Sequence, residues 1–228
     1  MKHLQWFTMK ILDKFGIVPN DLKTYDMAFI HKSYGVKHNI GYDYERLEFL
    51  GDAVLSMIVS EYLYKKYDDL CEGDLTKLRS NFVCETAIAN YSHELGLTRM
   101  IKLELDDSKV SINEIFSISA DVFESLLGAI YIDQGFEIAI DFLSKIVFPA
   151  IDNKMIFFQD FKSQIKEYGD AEELFVEYKI IEEHGAPHDK TFVMGLYVDG
   201  KEISRGIGKS KKEAEQIAAQ KTIEKLGI

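Results

Sequence analysis

Glu45, Glu48 and Asp52 stand in the segment YERLEFLGDAVL (44–55), separated by steps of three and four residues. That spacing predicts one face of an α-helix. A second apolar segment, ISADVFESLLGAIYI, repeats the theme with Asp121 and Glu124 at i, i+3. Between the two lies EGDLTKLRSNFV, with Glu72 and Asp74 just before another helical pattern. The apolar neighbours Leu47, Phe49, Leu50, Val54 and Leu55 predict that the first helix is deeply packed. A carboxylate taken out of water loses its hydration, and clustering several adds like-charge repulsion unless cations sit between them. Oxygen ligands without His or Cys select Mg²⁺, or Mn²⁺ in its place, rather than zinc. A carboxylate-bound metal pair suits phosphodiester hydrolysis, one ion helping to generate hydroxide and the other stabilising the leaving oxygen.

Plainer readings exist for the same residues. Acidic residues at helical spacing ordinarily mark a solvated face, and Arg46 or Arg79 offers partners for salt bridges. A di-iron carboxylate bundle expects Glu-x-x-His on two helices. No Glu stands three residues before any of the six histidines, which argues against that centre.

A second group with chemical potential lies in GIGKSKKEAEQIAAQ (206–220). Here Gly206 and Gly208 are expected to let the backbone turn tightly into a helix. Free N–H groups and the positive dipole end of that helix suit phosphate. Lys209, Lys211 and Lys212 add three charges on the same turn, a pattern that otherwise reads as a solvated helix start.

The elements that must position these groups fall into two grammars. Up to about residue 150 apolar residues recur at three and four in 45–66, 74–95, 114–133 and 136–148, with only Pro19 and Pro149 in that span. This predicts an all-α domain over 1–152. Residues 153–158 carry no periodicity and read as a linker. From 159 to 228 the order becomes α-β-β-β-α, an α+β module. Asp160 is placed to N-cap its first helix, LFVEYKII and TFVMGLYV alternate like strands, and Asp199-Gly200 is the dipeptide preferred in a tight hairpin turn. The closing helix would pack through Ala214, Ile217 and Ala218.

Charge runs against a simple nucleic-acid reading. The chain carries a net charge of −11, and its last 70 residues hold 11 Lys+Arg against 14 Asp+Glu. Phosphate contact must therefore come from a local patch, and bound metal accounts for part of the acidic excess. Cys71 and Cys84 have no metal-type partners nearby and read as reduced thiols. The sequence holds no apolar run of about 18 residues and no leader-like N-terminus, which leads to an expectation of a cytoplasmic protein without a membrane partner or organic cofactor.

ERLEFLGDAVL resembles the hallmark sequence of ribonuclease III catalytic domains. HKSY (31–34), EGDLTKLRSNFV (72–83) and ADVFESLLGAIYID (120–133) follow the order of that family, and the resemblance spans nearly the whole chain. It implies a homodimer that cuts double-stranded RNA, leaving 5′-phosphates and 3′-hydroxyls with short 3′ overhangs, on ribosomal-RNA precursors and structured messages. Glu48, Asp52, Asp121 and Glu124 would be the inner metal ligands, with Asp52 and Glu124 the most essential. Glu45 and Glu72 take supporting positions.

Phe49 reads as a core aromatic on spacing alone, but the resemblance implies that it enters a pocket of the partner subunit, with Leu126 and Leu127 adding to the contact. The C-terminal module resembles a double-stranded-RNA-binding domain. Its lysines would sit on phosphates across the major groove, and His188 in the loop GAPHDK (185–190) would enter a minor groove. Lys166, followed by Glu167, stands where the family often has Gln, which leaves the contact of that first helix open. The rivals, a non-cleaving duplex-RNA-binding regulator or a structural ribosome-associated homologue, each expect a missing acidic position. All six are filled.

Overall fold

In the computed structural model, which describes residues 2–104, 111–157, 160–186 and 190–227, the chain separates into one unit over 1–158 and another over 159–228. The first is helical. It runs α1 (Lys2–Lys14), α2 (Leu22–Met27), α3 (Lys32–Lys37), α4 (Glu45–Lys66), α5 (Glu72–Val83), α6 (Glu85–Leu95), a 3₁₀ turn (Leu97–Met100), α7 (Ile112–Gln134), α8 (Phe136–Ser144) and α9 (Val147–Asp152). Two stretches that read as continuous helices are each divided. Cys84 takes extended backbone (φ −76°, ψ 157°) and separates α5 from α6, while Lys145 and Ile146 separate α8 from α9. Apolar periodicity runs on through such breaks because both helices face the same core, so spacing alone does not reveal them.

The core is built around α7. This helix is long and apolar enough to cross a membrane by composition, yet most of that stretch is buried inside the fold. Val122, Phe123, Leu126, Leu127, Ala129 and Ile130 are all buried. Leu126 and Leu127, expected at a partner contact, are 1% and 0% exposed and belong to the core of their own subunit. Helix α4 packs more extensively on α7 than on any other element. The two meet backbone to backbone, because a Cβ at Gly51 would overlap the Glu124 carbonyl and one at Gly128 would overlap the Leu47 carbonyl. The far end of α7 is clamped by Asp133, which accepts the Asn20 and Asp21 N–H groups at 2.9 Å each and the Tyr25 hydroxyl at 3.0 Å.

Residues 153–157, within the stretch read as linker, pack on the helical unit. Asn81 donates from Nδ2 to the Met155 carbonyl and accepts the Phe157 N–H, both at 2.8 Å, and the Phe157 ring meets Phe82 and Tyr91 edge-on.

The second unit comprises α10 (Phe161–Ala171), β1 (Val176–His184), β2 (Thr191–Val198), β3 (Lys201–Gly208) and α11 (Lys211–Leu226), with an antiparallel sheet in the order β1-β2-β3. Asp160 caps α10 by accepting the Ser163 N–H at 3.1 Å. The hairpin turn forms at Asp199-Gly200, both with positive φ (49° and 76°), as its two-residue geometry requires. Helix α11 lies on the sheet through Ala214, Ala218 and Ala219, with Ile217 half-buried beside them. Gly206 and Gly208 do not make the turn expected of them. They lie within β3, and a Cβ at either would run into the α11 backbone at Ala214. Their role is close approach.

Candidate functional site

The α4–α7 crossing sets the geometry of the acidic residues. Gly51 lies one turn beyond Glu48, and its contact with the Glu124 carbonyl leaves no room for a side chain between the helices. As a result Glu48 of α4 and Asp121 and Glu124 of α7, more than seventy residues further along the sequence, place carboxylate oxygens within 4.8 Å of one another. All three are half-buried. Among the described residues no Lys or Arg pairs with any of them.

The electrostatic consequences follow directly. Burial, then the charge of Asp52, then Glu48 and Asp121 push the Glu124 carboxyl up to about 8. Burial, followed by Asp121, Glu45, Asp52 and Asp43, raises Glu48 to about 7. Asp121 is also raised by burial, against the opposing effect of a hydrogen bond donated by the Tyr44 hydroxyl at 2.9 Å. The raised proton affinities mean that the site favours positive charge among its oxygens. Three convergent hard oxygen donors, none paired with a Lys or Arg among the described residues, fit a divalent ion of the Mg²⁺ or Mn²⁺ type.

The other acidic candidates are distributed around this trio. Asp52 is exposed, one helical turn beyond Glu48, and is the strongest charge acting on Glu124. Glu45, at the start of α4, is exposed and paired with Lys32 at 3.1 Å. Glu72 opens α5, is exposed, and accepts the Thr76 hydroxyl at 3.1 Å. Neither Glu45 nor Glu72 joins the close trio. Sequence spacing missed Tyr44 and Lys32, whose contacts depend on α7 and α3 arriving beside α4. Gly51 and Gly128 were also missed, because only the crossing of two helices gives them meaning.

Phe49 corrects the reading from spacing. Its side chain is 80% exposed, beside a hollow of about 1230 Å³ lined by Met27, Val36, Tyr42, Leu50 and Ile132 among others.

In the second unit, Ser210 caps α11 by accepting the Glu213 N–H at 3.2 Å, and Glu213 reaches back to the Lys209 N–H at 2.7 Å. Of the helix-start N–H groups that were expected to meet phosphate, that of Glu213 is thereby satisfied from within the chain. Lys211 and Lys212 stand in the first turn of the same helix. Lys209, Lys211 and Lys212 are all exposed, and Lys211 also lies 5.9 Å above the Phe192 ring. Lys166 is exposed on α10. His188 lies outside the described residues, though the flanks of its loop are joined by an ion pair between Lys190 and Glu183. Cys71 and Cys84 are free thiols.

Comparison with known proteins agrees with this division. A family model described as Ribonuclease-III-like matches residues 21–151, and one described as Double-stranded RNA binding motif matches residues 161–226. "Ribonuclease 3" of Geobacillus sp. (strain WCH70) is 42% identical over 217 residues, covering 93% of this chain and 88% of the relative. "Ribonuclease 3" of Lactiplantibacillus plantarum is 39% identical over 221 residues, with 94% of each covered. Among solved structures, the nuclease domain of ribonuclease III from Campylobacter jejuni, described for flexibility in a region involved in dimer formation, aligns at a TM-score of 0.56 and 34% identity. That alignment covers 61% of this chain and 95% of the other.

Proposed function

The chain belongs to the ribonuclease III family of double-stranded-RNA endonucleases, and on that premise we propose that it hydrolyses RNA duplexes through a divalent cation held by Glu48, Asp121 and Glu124 with Asp52 beside them. The observation that carries this reading is the convergence of three half-buried carboxylates from α4 and α7, none of them paired with a Lys or Arg among the described residues. Mg²⁺ held there would supply Lewis-acid activation of water and of the scissile phosphate. The protein contributes the holding oxygens, and Asp52, exposed at the rim, is placed to orient water for in-line attack. Products then carry 5′-phosphates and 3′-hydroxyls with short 3′ overhangs, and substrates include ribosomal-RNA precursors and structured messages. Glu45 and Glu72 support the site from its edge. The Lys209–Lys212 turn, His188 and Lys166 contribute contacts along the duplex. Free Cys71 and Cys84 accord with a cytoplasmic setting.

Labelled duplex RNA incubated with Mg²⁺ or with chelator tests the proposal. Metal-dependent cutting of duplex and not of single strand is expected. Retarded but intact RNA in both arms would instead identify a non-cleaving binder. Asp52→Asn and Glu124→Gln should each lower the cleavage rate at least about a hundredfold, the upper end of what loss of a mere supporting group costs. Wild-type rates from either would overturn the assignment.

We further propose a homodimer joined around Phe49. In a two-fold contact each copy presents both the protruding ring and the adjoining hollow, so one surface can cover itself. Phe49→Ser should shift the sedimentation coefficient from dimer to monomer at micromolar protein. An unchanged dimer would place the contact elsewhere.

A further inference from the structure

We propose that Tyr44 is a positioning residue of the metal site, its hydroxyl setting the Asp121 carboxylate of α7 in register with Glu48 of α4. The proposal rests on reading the acidic trio as a divalent-cation site and adds a component of its own. The Tyr44 ring is 3% exposed, and its hydroxyl reaches Asp121 Oδ2 at 2.9 Å. A carboxylate can only accept, so the phenol is the donor. One Asp121 oxygen is thereby fixed, and rotation of the carboxylate about its Cβ bond is restrained.

The other bonds of Tyr44 make it a link between three elements. Its N–H donates to the Ile30 carbonyl at 2.9 Å, on the segment leading into α3. Its carbonyl accepts the N–H groups of Leu47 and Glu48 at 2.9 and 3.0 Å, opening the first turn of α4. Tyr44 occupies the N-cap position, yet its side chain gives the helix no cap. That duty falls to Asp43, whose Oδ1 accepts the Glu45 N–H at 3.1 Å. The Tyr44 hydroxyl is used instead across the helix crossing. The same residue therefore anchors the backbone of one ligand, Glu48, and the side chain of another, Asp121.

A second buried tyrosine gives the internal control. Tyr25 donates to Asp133 Oδ2 at 3.0 Å, the same bond chemistry on the same helix. Asp133 lies twelve residues beyond Asp121, about 18 Å along α7. Both tyrosines stabilise the fold, but only Tyr44 touches a carboxylate of the trio.

The test is Mn²⁺ binding by the full-length protein without RNA, read as free Mn²⁺ by electron paramagnetic resonance. Tyr44→Phe keeps the ring and removes the donor, and should weaken Mn²⁺ binding roughly tenfold, as loss of a group that orients a ligand does. Tyr25→Phe should lower the melting temperature and leave Mn²⁺ affinity at the wild-type value. Equal affinity in wild type and Tyr44→Phe, or an equal loss in both variants, would overturn the proposal while leaving the metal reading intact. A wild-type protein that binds no Mn²⁺ would overturn both. If Tyr44→Phe does not fold, 3-fluorotyrosine at position 44 retains the hydroxyl. Its ¹⁹F resonance should then move during a Mg²⁺ titration, with the midpoint of metal binding, and a resonance that stays fixed would refute the link.

Discussion

Each unit brings two elements into backbone contact with a pair of glycines, and the two pairs serve opposite electrostatic ends. Gly51 and Gly128 press α4 onto α7, and the burial and like-charge proximity that result raise the proton affinity of Glu48 and Glu124. Gly206 and Gly208 press β3 under the start of α11, which leaves three lysines exposed around a helix start capped by Ser210. The first arrangement costs folding energy, which a cation held among the carboxylates would relieve. The second costs little, because its charges stay in water and a polyanion approaches them from outside. Packing density thus decides how far each site depends on its ligand.

The largest effect expected from this contrast is on the glycines themselves. Gly51→Ala sets a methyl group against a helix carbonyl that cannot rotate away, a backbone clash that should cost about 3 kcal/mol or more. It should abolish Mn²⁺ binding. Gly206→Ala meets the Ala214 carbonyl in the same way and should abolish RNA retention while leaving Mn²⁺ affinity unchanged. Thermal melts, Mn²⁺ titrations and gel shifts on both variants separate the units. Impaired Mn²⁺ binding in Gly206→Ala would break the comparison.

A smaller effect appears with pH, and its sign differs between the units. In the helical unit, Glu48 and Glu124 keep protons to about 7 and 8, against an ordinary value of 4.5 that the unfolded chain retains. Between about pH 5 and 8 the folded state therefore binds more protons, and metal-free stability falls as pH rises. In the second unit, burial opposes ionisation of Asp160, but hydrogen bonds from Ser163 and Gln216 prevail and hold its carboxyl below the usual range. Stability there is instead lost on acidification through that lowered value. Metal-free protein should melt roughly 3 °C lower at pH 8 than at pH 5.5, and Mg²⁺ should restore more at pH 8 than at pH 5.5. A melting temperature that rises with pH in chelator would contradict the raised carboxyls.

The smallest effect concerns the lysines. Replacing Lys209, Lys211 and Lys212 together by Ala should flatten the dependence of log affinity on log salt by roughly one unit for each phosphate left without a lysine partner. Cleavage at low salt should survive. An unchanged salt slope would move the phosphate-binding surface to another face.

Much of the second unit was legible because its features are local. Asp160 as cap, Asp199-Gly200 as turn, and the alternation of TFVMGLYV each depend on a few neighbouring residues. The misreadings arose where distance in sequence intervened. Gly206 and Gly208 looked like a turn because both precede a helix, and only the seating of α11 on β3 gives them their purpose. Phe49 looked like core, since helical spacing marks which residues share a face and not which face is covered. Leu126 and Leu127, which the resemblance added to the partner contact, are buried in the core of α7's own unit instead.

The sequence by itself determined the two-part architecture, the carboxylates on α4 and α7, and the lysine turn, all of which follow from residue type and short-range periodicity. Tertiary structure alone decided that Glu48, Asp121 and Glu124 converge, that Glu45 is paired with Lys32, and that Tyr44 reaches Asp121. The physical reason is that a helix fixes the direction of its side chains, while the distance between two helices is set by what lies at their crossing. Here that is two glycines.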